Sequence, residues 1–143
     1  MSKKIIIGSD HAGFNLKNEI KNYIKEIGYE IEDAGTYSTD SCDYPVIAKE
    51  VASRVAKKEF NKGILICGTG IGMSITANKV RGIRAAVVSD TCSAKMSRLH
   101  NDTNILCIGE RIVGKELAKD IVKIWLDTSF LGERHLNRIN MIE

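Results

Sequence analysis

Apolar positions along the chain switch repeatedly between short unbroken runs and helical stripes. Lys4 to Ser9 carries Ile5-Ile6-Ile7 without interruption and predicts a first strand. Phe14, Leu16, Ile20, Tyr23, Ile24 and Ile27 then recur at helical spacing, which predicts a first helix closed by Gly28. Tyr29 to Ala34 alternates apolar and acidic positions, the pattern of an edge strand. After a polar loop over 35–43, Pro45 fits a first helical turn, and Ile47, Val51 and Val55 continue a second helix. Ile64 to Cys67 is a third strand, Gly70 to Lys79 a short helix, and Arg84 to Val88 a fourth strand. Helices over Cys92 to Leu99 and Gly114 to Trp125 flank a fifth strand, Asn104 to Ile108. The tail, 130–143, places Leu131, Leu136, Ile139 and Ile142 at near-helical spacing.

Strands alternating with helices predict an α/β fold, a Rossmann-like three-layer sandwich on a five-stranded parallel sheet. The expected strand order is 2-1-3-4-5, with strand two at an edge. Ligands of such sheets bind at the carboxyl ends of the strands, where the order reverses. That reversal lies between strands one and three, so Ser9-Asp10-His11 should face Cys67 to Gly72. One domain over residues 1–143 is expected, with the tail suited to packing on a partner subunit.

Bulk properties remove several function classes. Net charge is only +3, and no long basic run is present, so nucleic acid is not an expected partner. No apolar run approaches the roughly 18 residues a membrane span needs. The first strand follows Lys3-Lys4 directly, without the pattern of a signal peptide. Cys42, Cys67, Cys92 and Cys107 show no metal-binding spacing and read as free thiols of a cytoplasmic protein. His11, His100 and His135 are far apart, and no metal is expected.

Gly68-Thr69-Gly70-Ile71-Gly72 leads into a helix start, where amide groups and the helix dipole favour an anion. The same glycines could simply make a tight turn. Familiar phosphate motifs fail here: Met73 stands where a dinucleotide fingerprint needs its third glycine, and no Gly-Lys-Ser/Thr occurs. Met73 also stands where a cysteine phosphatase needs arginine. Cys67 on its own reads more readily as a small buried hydrophobe than as a base. Its place at the binding edge, beside a helix N-terminus that favours a thiolate, strengthens the second reading. Asp10 and His11 are candidates for hydroxyl and phosphate contacts, or Asp10 is a helix cap.

His100-Asn101-Asp102 precedes strand five, at the end of the sheet opposite Cys67. A five-residue strand spans about 17 Å. If His100 and Cys67 serve one site, His100 comes from another subunit; otherwise it belongs to a polar connection. Arg134 and Arg138 share a helical face that could clamp a phosphate or merely be solvated, and Arg111 is a third such candidate.

Taken in order, Gly8-Ser9-Asp10-His11-Ala12-Gly13, Asp43-Tyr44-Pro45, Ile66-Cys67-Gly68-Thr69-Gly70-Ile71-Gly72, Gly82-Ile83-Arg84-Ala85, His100-Asn101-Asp102-Thr103-Asn104 and Arg134-His135 resemble the type B ribose-5-phosphate isomerases over about residues 3–140. The resemblance implies an aldose–ketose isomerase of the pentose phosphate pathway that needs no cofactor. It implies Cys67 as the proton-transfer base, His100 in ring opening, and Thr69 beside the enediolate. Gly68, Gly70, Ile71 and Gly72, with Ser74 beyond them, would hold that intermediate. Asp10, Tyr44 and Asn101 would contact sugar oxygens, and His11, Arg111, Arg134 and Arg138 the phosphate. A homodimer, or a dimer of dimers, with shared sites is implied. An isomerase of allose 6-phosphate or galactose 6-phosphate is the nearest alternative. A phosphate-binding module of flavodoxin-like topology is a second. A redox protein using Cys67 is a third, though it lacks a neighbouring resolving cysteine.

Overall fold

Strands that are buried throughout, save Lys4 at the start of the first, take the middle of the sheet, and half-exposed ones its edges. The computed structural model describes residues 3–142. Its parallel sheet contains β1 (Lys4–Ser9), β2 (Glu30–Asp33), β3 (Gly63–Cys67), β4 (Ala85–Val87) and β5 (Ile105–Gly109) in the order β2-β1-β3-β5-β4. The expected order had β4 and β5 exchanged. Burial explains the correction: every residue of β5 is buried, whereas β4 is three residues long and leaves Val87 45% exposed. A fully apolar run gains most where both faces are covered.

Among the described residues six α-helices connect or follow the strands: α1 (Phe14–Glu26), α2 (Tyr44–Ala56), α3 (Ile71–Asn78), α4 (Thr91–Asn101), α5 (Lys115–Asp127) and α6 (Arg134–Asn140). Because the chain steps back from β4 to β5, a right-handed crossover puts α4 on the face of α1 and α5. There Ile5, Ile7, Ile64 and Ile66 pack with Ile20 of α1, Ala94 of α4 and Trp125 of α5. On the other face, Ile6, Leu65, Cys67 and Cys107 pack with Val51 of α2 and Met73 of α3.

The edge strand β2 keeps its acids for a reason. Lys17 of α1 is fully buried and donates to Asp33 Oδ1 at 2.7 Å and to the Thr36 carbonyl. Lys21 donates to Asp33 Oδ2 at 2.9 Å. Burial works to raise the Asp33 pKa, but the two lysines and the Gly35 N–H outweigh it and hold the carboxyl below its ordinary range. Burial also pushes the Lys17 pKa down. The pair ties α1 to β2 and to the loop that leads toward Tyr44.

The tail does form a helix. In α6 only His135 and Ile139 are buried against the chain, while Leu136, Met141 and Ile142 remain exposed.

Candidate active site

At the end of β1 the chain turns sharply. The Asp10 carboxylate accepts from the Gly13 N–H at 3.1 Å and caps a short 3-10 turn, His11–Gly13. A Cβ at Gly13 would lie 2.5 Å from the Ile66 carbonyl oxygen, so only glycine lets this turn press against β3. Asp10 is thereby both a cap and a buried wall of the cleft, 6% exposed. His11 Nδ1 accepts from the Cys42 N–H at 3.2 Å. The neutral ring then carries its proton on Nε2 and offers it as a donor.

The Cys67 side chain, 5% exposed, closes β3. Its Sγ accepts from the Gly70 N–H at 3.1 Å, a donor that suits a sulfur bearing negative charge. Gly70 has φ +81°, the left-handed region that favours glycine. The Ile71 N–H is also committed, to Thr69 Oγ1 at 3.2 Å. Amides further into the first turn of α3 lack intrahelical acceptors and face the start of the helix. Tyr44 opens α2 with its ring against Gly72, where a Cβ would come within 2.6 Å of it.

The corrected strand order brings in Arg111. β5 lies beside β3, with Cys67 paired to Gly109. The Arg111 N–H donates to the Gly68 carbonyl at 3.0 Å. Its guanidinium lies over Gly68, 3.2 Å from where a Cβ would stand. Under the expected order an intervening strand would have held it about 5 Å further off.

These groups surround a cleft of about 460 Å³ lined by Asp10, His11, Tyr44, Cys67, Thr69 and Arg111, with Gly68, Ile71 and Gly72. Gly70 acts from behind, through the Cys67 sulfur, and Ser74 lies inside α3 away from the lining. Larger surface depressions exist, of about 590 and 600 Å³. Neither gathers a buried thiol, an imidazole and a guanidinium around one space.

His100, Asn101, Arg134 and Arg138 are not in this cleft. His100 ends α4, at the amino end of β5, and its ring stacks on His135 at 4.3 Å. Asn101, Arg134 and Arg138 are exposed there. Burial, the His100 ring and the charges of Arg134 and Arg138 hold the His135 pKa below its ordinary value.

Two contributors were missed from sequence. Glu110 donates its N–H to the Cys67 carbonyl at 2.9 Å, and its carboxylate accepts from the Leu16 N–H at 2.7 Å. It therefore ties the thiol strand to the turn bearing Asp10 and His11. The Cys42 N–H, which sets the His11 tautomer, is the other. No sequence spacing reveals either. Cys42, Cys67, Cys92 and Cys107 are free thiols, and burial pushes the Cys107 thiol pKa up. Among the described residues no group of three or more His, Cys, Asp or Glu is placed to hold a metal, and no helix is long and apolar enough to cross a membrane.

A doubly wound sheet whose switch-point cleft gathers a thiol, an imidazole and a guanidinium defines a class: an α/β protein with a small-molecule site at the carboxyl ends of its strands. Relatives narrow the class. Residues 5–142 match the model of the Ribose/Galactose Isomerase family, and the chain belongs to that family. It is 54% identical over 140 residues to the ribose-5-phosphate isomerase B of Escherichia coli (strain K12), covering 98% of this chain and 94% of that protein. The fold is similar to that of Clostridium thermocellum ribose-5-phosphate isomerase B, with TM-score 0.96 and 55% identity over 97% of this chain and 94% of that one. Type B ribose 5-phosphate isomerase from Trypanosoma brucei gives TM-score 0.96 and 46% identity over 99% and 97%.

Proposed function

We propose that the chain is an aldose–ketose isomerase that interconverts ribose 5-phosphate and ribulose 5-phosphate, using a site completed by a second copy of itself. One observation carries the reading: Cys67, with a backbone donor on its sulfur, lines a cleft shared with Asp10, His11 and Arg111. The family supplies the reaction class, and the relatives' names supply the sugar.

In the forward direction the cyclic sugar opens first. His100 of a second copy moves a proton from the O1 hydroxyl to the ring oxygen. The Cys67 thiolate then takes the C2 proton, and the electron pair left behind forms the C1–C2 double bond of an enediolate. Charge develops on O1, near Thr69 and the first amides of α3. Cys67 returns the proton to C1, a proton passes from O2 to O1, and the ketose is formed. Asp10, Tyr44 and Asn101 orient sugar hydroxyls. His11, Arg111, Arg134 and Arg138 hold the phosphate, whose remote binding energy keeps the open chain in place.

Separation supports a shared site. His100 and the tail arginines stand at the amino end of the sheet, about 17 Å of strand from the thiol. A homodimer, or a dimer of dimers, joins the two ends, and the exposed apolar residues of the tail pack on the partner.

Incubating the protein with ribose 5-phosphate in deuterated water tests the reaction. Deuterium should enter the substrate at C2 and the product at C1. A protein that binds the sugar and exchanges no carbon-bound hydrogen is a binding module instead. Running allose 6-phosphate and galactose 6-phosphate alongside reads the substrate length. Faster turnover of either would displace the five-carbon assignment.

A further inference from the structure

The last turn of a helix ordinarily frays, because its final carbonyls lack intrahelical partners. His100 and Asn101 occupy the last turn of α4, yet the backbone there is held by side chains from elsewhere. Arg84, just before β4, donates from Nε to the Asn101 carbonyl at 3.0 Å and to the Asp102 carbonyl at 3.2 Å. Its Nη2 reaches the Asp102 carbonyl at 3.0 Å and the Asp102 carboxylate at 3.4 Å. Arg98 takes the other carboxylate oxygen at 2.8 Å and the Thr103 carbonyl at 2.6 Å. Arg84 is itself fixed, its N–H donating to Asn104 Oδ1 at 2.8 Å.

Ending a helix needs far less: one left-handed residue generally suffices. Asp102 already supplies it, at φ +46°. The extra fork of hydrogen bonds lands on the two carbonyls that follow His100, and a planar guanidinium fixes both their spacing and their direction. None of these bonds touches the His100 ring or the Asn101 side chain. The backbone is locked, the Asn101 side chain stays exposed, and the His100 ring rests on His135 rather than on the fork.

We propose that Arg84 is a positioning residue, which aims His100 and Asn101 into the cleft of a second copy of the chain. This rests on the shared-site reading above. Misplacing reacting groups by about 1 Å can cost up to roughly a hundredfold in rate. Arg84→Met keeps the aliphatic stem and removes the fork. Its kcat should fall at least about tenfold.

A structural role for Arg84 could also lower the rate, so subunit mixing is the deciding readout. Chains bearing two different tags are co-expressed, and mixed assemblies are isolated by tandem purification. Arg84→Met paired with Cys67→Ala should recover about half the wild-type rate, since one site of a two-fold pair then has both halves intact. Arg84→Met paired with His100→Ala should show no more than about half of the low Arg84→Met rate, because both changes damage the same half. The control is His100→Ala with Cys67→Ala, which should recover like the first pair. The proposal is overturned if Arg84→Met turns over at the wild-type rate. It is also overturned if its pair with Cys67→Ala stays inactive while the control recovers, which would put the damage in Arg84's own chain. If the control fails as well, the shared site itself falls and takes the positioning role with it. Should Arg84→Met not assemble, Arg84→Lys, which keeps the charge but loses the fork, carries the same test.

Discussion

The two ends of the sheet both bear chemical groups, and they are built in opposite ways. At the carboxyl end the groups are sunk: Cys67 and Asp10 are 5% and 6% exposed, and glycines let loops press against strands. Backbone amides do much of the holding there, from Gly70 to the sulfur and from Cys42 to His11. At the amino end the groups are raised. Asn101, Arg134 and Arg138 are exposed, and arginine side chains clamp the backbone at Asn101 and just after it. A sunken set excludes water and strengthens every charge interaction inside it. A raised set has no such shelter until another surface covers it. The difference fits an enzyme whose cup lies on one chain and whose lid residues lie on another.

The hardest blow to this contrast is Cys67→Ala. It removes the proposed base and leaves the phosphate contacts standing. The expected loss in kcat is about 10²–10⁴-fold, with ribose 5-phosphate binding by calorimetry little changed. Wild-type turnover by this variant would move proton transfer away from the sunken end. Loss of binding in step with turnover would mean that the thiol holds the cleft together instead.

Most of the sunken end is legible in the sequence because its determinants are local. An apolar run, a cysteine and alternating glycines specify a strand, a turn and a helix start within a dozen residues. The position of Arg111 is not local. It depends on β5 lying between β3 and β4, which follows from burial across the whole sheet. The signal was present even so: Ile105-Leu106-Cys107-Ile108 is wholly apolar, and Ala85-Ala86-Val87 is short and small, as an edge strand can be. Glu110 was invisible, since its carboxylate meets an amide 94 residues away and no motif links them. The raised end was legible only as a separation. Counting residues along β5 puts His100 opposite Cys67, while the clamp by Arg84 and Arg98 needs three dimensions.

Next in size is Gly13→Ala. The new Cβ would lie 2.5 Å from the Ile66 carbonyl oxygen, a backbone atom with little room to move. Overpacking of this kind costs about 1–3 kcal/mol. Gly114, the capping residue before α5, has nothing within 4 Å of its would-be Cβ. Gly114→Ala should therefore cost less, under about 1 kcal/mol, through the poorer helix cap alone. Urea unfolding of both variants measures the contrast. Equal losses would mean that the tight packing at the sunken end has no energetic weight.

Glu110→Ala should do less. It strips an acceptor from the first turn of α1, where a side-chain cap contributes about 0.5–2 kcal/mol and a negative charge complements the helix dipole. Glu110→Gln keeps an acceptor oxygen and should recover part of the stability. If alanine and glutamine behave alike in urea unfolding, the carboxylate does not hold the Asp10–His11 turn through Leu16.

The smallest effect belongs to the raised end and appears as pH dependence. The native chain resists protonating His135, because burial, the stacked His100 ring and two arginines all oppose the charge. An unfolded chain accepts that proton near the ordinary 6.5. The unfolded state therefore binds more protons just below that value, and stability rises with pH through the window. The contribution is fully present above 6.5 and is lost as pH falls through the lower, folded-state value. Its local sign should be loosening of α6 from α4, read as faster amide exchange over residues 134–140 as the pH is lowered, after correction for intrinsic rates. His135→Phe keeps a ring to stack on His100 and removes the His135 titration, so its pH term should be smaller than in the wild type. The amides of β3 should show no such pH term in either protein, because the backbone and side chains around them contain no comparable imidazole pair. A pH term of equal size in β3 would mean that His135 titration weakens the whole fold, and the two ends could no longer be treated as separately built.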